Sequence, residues 1–346
     1  MTHPIHKLPP FTVHEVLVSL AETIDWSLKL FGVPDAWQST QGEKVRVAVL
    51  DTGIDENHPD LVDAIDDARD FTRSPHGPID VNGHGTHTAG TIAARQNDVG
   101  VVGVAPKCRL LIGKVLGDSG AGDGAGVAAG IDWAADSGAD LISMSLGSPA
   151  PDERIALAIE RAVSKGKFVI AAAGNSGRQN DVGFPARWKG RPNEQRDTIA
   201  VAAVDRDGRV ARFSSRGPEV DIAAPGVDIT STYKGGGYAT LSGTSMATPF
   251  VSGVVALSIA IHRQTLQPKT PLRTMSQLRE HLNRTARDAG KIGHDDAYGA
   301  GLIDPASMLA REDNTDARRP LLDFVGIQIF SPAREGDLVS LEVKPR

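Results

Sequence analysis

The apolar residues of this chain gather in short unbroken runs rather than in long amphipathic stripes. The clearest is Lys44-Val45-Arg46-Val47-Ala48-Val49-Leu50-Asp51, β-branched and closed by Asp51-Thr52-Gly53. Such a run, bounded by turn residues, predicts a buried strand. Similar runs recur at 109–115, 140–145, 167–173 and 198–204, and helical patterns separate them at about 84–95, 124–138 and 152–165. Strands alternating with helices predict a parallel sheet covered by helices on both faces. A further run, Phe250-Val251-Ser252-Gly253-Val254-Val255-Ala256-Leu257, is apolar nearly all round and predicts a buried helix. Pro249 before it fits only if the helix has just begun. Upstream, Val13, Val16, Leu17, Leu20 and Ile24 are spaced as in an amphipathic helix within 11–31, and Pro34 ends that segment. The expected organisation is an extension at 1–33, one domain at 34–310 and a tail at 311–346. The tail opens with a charged linker at 311–319 and shows strand-like alternation over 321–343, expected to serve as a docking arm or a homodimer contact.

Composition narrows the function. At 346 residues, 40% apolar and 23% charged, the chain has ordinary globular make-up and length for a large core. A net charge of −6 argues against a nucleic-acid partner, which calls for a basic surface. No stretch reaches the ~18 consecutive apolar residues of a membrane span, and no apolar signal region follows His3, His6 and Lys7. The only cysteine, Cys108, excludes an internal disulfide and suits a reducing compartment. A cytoplasmic protein with no membrane partner is therefore expected.

In open parallel sheets, ligands bind beyond the carboxyl ends of the strands. Asp51, the segment Ser145-Leu146-Gly147 and the pair Gly174-Asn175 all fall at such ends. His84 opens a predicted helix within Asn82-Gly83-His84-Gly85-Thr86-His87, and Ser245 lies at or near the start of another, where unpaired N–H groups favour negative charge. His84 and His87 are spaced for a metal, but no nearby third ligand completes a zinc site. Asp51, His84 and Ser245 instead supply an orienting carboxylate, a base and a nucleophile.

The boxes Asp51-Thr52-Gly53-Ile54-Asp55, His84-Gly85-Thr86-His87 and Gly243-Thr244-Ser245-Met246-Ala247 resemble, in order, the three signature boxes of the subtilisin-like serine proteases. The likeness runs from about residue 34 to 309 and takes in Gly103-Val104-Ala105-Pro106 and Tyr298-Gly299-Ala300-Gly301-Leu302-Ile303. It implies an α/β, three-layer subtilisin-like fold with a central, mostly parallel sheet. It also implies a serine endopeptidase acting on protein or peptide substrates through an acyl-enzyme on Ser245. Asn175 matches the oxyanion-hole side chain of the family. Gly120-Ala121-Gly122 and Ser145-Leu146-Gly147 match the segments that pair with an extended substrate. Ala172, Gly174 and Gly183 match the pocket for the residue before the scissile bond, and the two glycines leave room there for a large apolar side chain. Gly124 replaces the bulky residue often found over a more distal pocket, and Phe250 stands where a histidine is common.

The resemblance further implies a Ca²⁺ site from Asp60, the Asn97 side chain and the carbonyls of Arg95, Val99 and Val101, completed by Glu22. A weaker ion would sit near Glu219 and Asp221. Within the family the bacterial intracellular branch fits best, because Lys7-Leu8-Pro9-Pro10-Phe11 resembles the motif of its short N-terminal extension, an inhibitory propeptide. Two other readings stay open from sequence: a secreted subtilase without its leader, and a binding protein that kept the fold but lost turnover.

Overall fold

The computed structural model describes residues 4–18, 21–188, 196–264 and 272–310. The chain opens with β1 (Ile5–Lys7) and β2 (Thr12–Leu17), then two short helices, α1 (Trp26–Leu30) and α2 (Val33–Ala36). β3 (Arg46–Asp51) and β4 (Ile65–Asp70) lead to α3 (His84–Ala93) and β5 (Arg109–Lys114). Next come β6 (Ala121–Asp123), α4 (Gly124–Asp136), β7 (Leu141–Met144), α5 (Glu153–Ser164) and β8 (Phe168–Ala172). β9 (Ile199–Val204), β10 (Ile222–Pro225), β11 (Ile229–Tyr233) and β12 (Gly237–Ser242) precede the long α6 (Thr244–Gln264), followed by α7 (Met275–Thr285) and α8 (Pro305–Leu309).

The central sheet has seven strands in the order β10-β9-β8-β7-β3-β5-β4, all parallel. β7, β8 and β9 are buried at every residue, which is why they read as unbroken apolar runs. Helices α3 and α6 pack together over the sheet, and α4 and α5 form the other packed pair. The helices predicted at 84–95, 124–138 and 152–165 and the five predicted strands appear with ends shifted by a few residues. The edge strand β4 was not foreseen, because its residues IDDARD are polar and only partly buried.

Two expectations change. Residues 11–31 do not form one amphipathic helix: 12–17 form β2, and helix returns only at Trp26. Val13 and Val16 are exposed, at 44% and 57%, so their spacing marks no buried face. Backbone pairing of β2 with β12 satisfies the groups that a helix would have paired. Downstream, Leu28, Phe31 and Val33 are buried in the main core, so packing of the domain begins before Pro34. Pro249 is also not in the first turn of its helix but lies inside α6. Proline has no N–H to give the Ser245 carbonyl one turn back, and Ser145 Oγ donates to that oxygen instead, at 2.9 Å.

α6 is long and apolar enough to cross a membrane by composition, yet it is almost wholly buried against the sheet, α3 and α8. Phe250 anchors it: the ring is 0% exposed and meets Phe31 edge-on at 5.6 Å. Phe250→Ala is expected to cost about 3–5 kcal/mol in urea unfolding. A loss below ~1 kcal/mol would mean that this contact does not hold α6 in place.

Candidate active site

The site forms where the carboxyl ends of β3, β7 and β8 meet the amino ends of α3 and α6. Asp51 is the last residue of β3, 1% exposed, and its Oδ1 accepts from its neighbour's Thr52 N–H at 2.7 Å. The same oxygen lies 2.8 Å from His84 Nδ1. A carboxylate can only accept there, so Nδ1 donates, and in the neutral ring Nε2 is then the acceptor. Thr88 Oγ1, one turn further along α3, donates to the other Asp51 oxygen at 3.3 Å.

A network outside the catalytic boxes holds the start of α3. Asp80 Oδ1 accepts from Thr52 Oγ1 at 2.8 Å and from Gly83 N–H at 2.8 Å, and its Oδ2 accepts from Thr86 N–H and Oγ1 at 2.8 and 2.7 Å. A buried carboxylate at a helix amino end pairs otherwise orphaned donors and opposes the helix dipole. Gly85 completes the approach, because a Cβ there would lie 2.3 Å from the Gly53 carbonyl. Lys114, fully buried, donates to the carbonyls of Thr52 and Ile79 and to Asp118. Asp118 is held down to about 2, chiefly by its hydrogen bond from Lys114. Sequence reading missed Asp80 and Lys114. The available signal was an acid four residues before His84 and a lysine ending an apolar strand.

Ser245 is the second residue of α6 and fully buried. Its Oγ donates to the Ser145 carbonyl at 3.4 Å, while His84 Nε2 is buried with no hydrogen-bond partner among the described residues. Asn175 follows Gly174, whose φ of +110° suits glycine. Thr244 donates from both N–H and Oγ1 to Asn175 Oδ1, at 2.9 and 2.7 Å, which turns the amide nitrogen toward the cleft. Asn175 Nδ2 then donates to the Pro10 carbonyl at 2.7 Å.

The N-terminal segment crosses the whole site. β1 pairs antiparallel with β6, Lys7 with Ala121 and His6 with Gly122. On its other side Lys7 exchanges two backbone hydrogen bonds with Gly147, at 3.0 and 2.9 Å, and Leu8 N–H donates to the Gly120 carbonyl. Both segments expected to pair with substrate thus flank residues 5–8. Leu146 and Ala172 are buried at the ends of β7 and β8, and Gly183 N–H bonds the Ala173 carbonyl beside them. Phe11 lies over the His84 ring at 4.9 Å between centres.

The residues expected to hold calcium also converge. Glu22 Oε2 accepts from the N–H groups of Asn97 and Asp98, both at 2.8 Å. Asn97 Nδ2 lies 3.4 Å from Asp60 Oδ1, and Asp60 Oδ2 accepts from Val101 N–H at 2.9 Å. Val99 N–H donates to Asn97 Oδ1, and Arg95 N–H to the Asp60 carbonyl. Burial holds the Asp60 carboxyl above its usual range. The Glu22 and Asp60 carboxylates and Asn97 Oδ1 fit a hard cation in kind, whereas Arg95, Val99 and Val101 meet this cluster through their N–H groups. The second, weaker site does not survive: Arg196 and Arg279 both pair with Asp221, and Arg187 pairs with the Glu219 carboxylate, so guanidinium groups already supply the positive charge.

Comparison with known proteins matches a model of the subtilase family over residues 42–301. The chain belongs to the subtilase family. It is 44% identical over 287 residues to a thermostable alkaline protease of Halalkalibacterium halodurans, covering 83% of this chain and 73% of that protein. It is 42% identical over 284 residues to subtilisin Savinase of Lederbergia lenta, covering 82% of this chain and 97% of that protein. As a subtilase it is a serine endopeptidase with the subtilisin fold, and proteins or peptides are its substrates.

His87 spends its Nε2 on two backbone carbonyls. Its Nε2 lies 3.1 Å from the carbonyls of both Ile229 and Ala239, tying α3 to β11 and β12. Burial, then the charge of His84, pushes its pKa from 6.5 down to about 3. A depressed folded value means that stability is complete above about 6.5 and is lost as pH falls toward about 3. His87→Gln keeps a donor but does not titrate. Its unfolding free energy should fall less than that of the parent between pH 7 and 4, and equal slopes would refute the assignment.

Proposed function

We propose that this subtilase is a broad-specificity endopeptidase, favouring large apolar residues before the scissile bond and kept latent by residues 4–11. Ser245 Oγ attacks the peptide carbonyl, His84 Nε2 takes its proton and returns it to the leaving amine, and Asp51 stabilises the imidazolium. Asn175 Nδ2 and the Ser245 N–H receive the oxyanion. The glycines at 174 and 183 leave the specificity pocket open.

The observation that carries latency is the hydrogen bond from Asn175 Nδ2 to the Pro10 carbonyl. It puts the chain's own backbone on the oxyanion donor while Ser245 Oγ faces Ser145 instead of His84. Pro9 and Pro10 offer no N–H and have restricted φ, so this stretch settles in the cleft without presenting a relaxed substrate strand. The likeness of Lys7-Leu8-Pro9-Pro10-Phe11 to the extension of intracellular subtilisins supports a cytoplasmic enzyme, restrained until the segment leaves.

A fluorophosphonate probe should label Ser245, and Ser245→Ala should abolish proteolysis. Changing both Pro9 and Pro10 to Ala in the full chain should raise initial turnover of a small peptide by about tenfold, since closed enzyme lowers apparent affinity by its fraction. Cleavage within the extension should appear in the same sample by mass spectrometry. Equal turnover with an intact N-terminus in both proteins would rule out latency.

We also propose that Ca²⁺ binds at Glu22, Asp60 and Asn97, with carbonyls of Arg95, Val99 and Val101. When bound it would offset the charge of the two carboxylates that meet Asn97 and tie the segment before α1 to the loop after α3. An ion at 100 times its dissociation constant stabilises the folded state by about 2.7 kcal/mol. A chelator should therefore lower the melting temperature, and Glu22→Gln should blunt that response. An unchanged melting temperature in the parent after exhaustive chelation would remove the site.

A further inference from the structure

A second strand-shaped seat continues from the catalytic centre. β2 lies antiparallel on β12 in five residue pairs, from Thr12 with Ser242 to Leu17 with Tyr238, with one irregularity between Thr240 and Leu241. β11 holds the other side of β12, so the side covered by β2 is an edge with its own N–H and C=O groups to satisfy. The seat adjoins the site directly. The Pro10 carbonyl sits on Asn175, Phe11 covers His84, and Thr12 meets Ser242, three residues before Ser245.

Side chains contribute little to this docking. Residues 12–16 are all exposed, and the burial of β2 rises only at Leu17. His14 alone in β2 makes polar side-chain contacts with the described residues, 2.8 Å to the buried Ser242 Oγ and 3.0 Å to the exposed Asp228. A strand whose side chains face water is held by its main chain, and every residue except proline offers the same donors and acceptors. The edge therefore reads extended conformation rather than sequence.

The direction of the chain settles which part of a substrate belongs there. Residues 5–8 occupy the side flanked by β6 and Gly147, and residues 12–17 follow on the far side of Asn175 and His84. A substrate running the same way has its acyl half on the first side and its leaving half on the second. We propose that the β12 edge is a docking strip for the leaving half of protein substrates, which adds to β12 as an extended strand in place of β2. The proposal rests on the latent reading above, in which residues 4–11 leave the cleft, and adds that residues 12–17 leave β12 with them.

The test uses the full chain and two peptides with identical residues before the cleaved bond, one with two residues after it and one with seven. Closed enzyme divides both rates by the same factor, so the ratio of kcat/KM does not depend on how often the extension opens. The longer peptide should be cleaved about tenfold faster or more in kcat/KM, from several added backbone hydrogen bonds. Shuffling the added residues should keep the gain. N-methylating alternate amides of that stretch should abolish it in one phase and spare it in the other, as an antiparallel ladder requires. No gain with length, loss on shuffling or indifference to N-methylation in both phases would overturn the strip. Cleavage of neither peptide by the full chain or by the Pro9 and Pro10 variant would sink the endopeptidase assignment, and the strip with it. Latency is judged separately, on the rates of the Pro9 and Pro10 variant.

Discussion

The catalytic geometry depends on one buried carboxylate that takes no part in the reaction. Asp80 gathers the Thr52 hydroxyl after β3 and the amide hydrogens at the start of α3 onto two oxygens. That fixes a strand end and a helix end against each other, and Asp51 and His84 are carried into contact by the elements they belong to. Lys114 works from the neighbouring strand, holding the Thr52 and Ile79 carbonyls that frame the same turn. The charges needed to build the site are thus separated from those that carry out the chemistry. This matters because a catalytic group must be free to change its protonation state, whereas a structural one must not.

Much of this was legible in the sequence, for a physical reason. Strands buried on both faces must be apolar throughout, so β3, β5, β7, β8 and β9 announced themselves, and the site followed from the rule that ligands gather at their carboxyl ends. The three catalytic boxes are compact and local, and so is the Gly174-Asn175 turn. What stayed hidden was set by partners far away in the chain. β2 was read as helix because its valines are spaced suitably, yet the pairing partner that decides its conformation lies more than 200 residues downstream. Glu219 and Asp221 resemble cation ligands in the sequence, but Arg187 pairs with the first and Arg196 and Arg279 with the second. Pro249 was expected in a first turn because nothing local shows that Ser145 can serve the carbonyl it leaves free.

The N-terminal segment joins two kinds of recognition in a single run. Its first part threads between β6 and Gly147 and ends in a rigid diproline, and its second part lies on β12 with its side chains in water. Substitutions would fall unequally on the two. Residues 12–16 other than His14 make no polar side-chain contact among the described residues and are held by their extended main chain, whereas Leu8, Pro9, Pro10 and Phe11 answer to specific surroundings. If both parts of the cleft recognise main chain, tolerance for varied proteins and competition by the chain's own terminus share one physical cause.

Cys108 sits fully buried at the foot of β5, its thiol pushed by burial up to about 12. In that state almost none of it is thiolate, so it is a poor target for oxidants and alkylating reagents while the domain is closed. Once the surrounding structure opens, the sulfur regains the reactivity of an ordinary cysteine. The protein therefore carries a native chemical reporter of its own unfolding, silent during catalysis and reactive when the sheet comes apart.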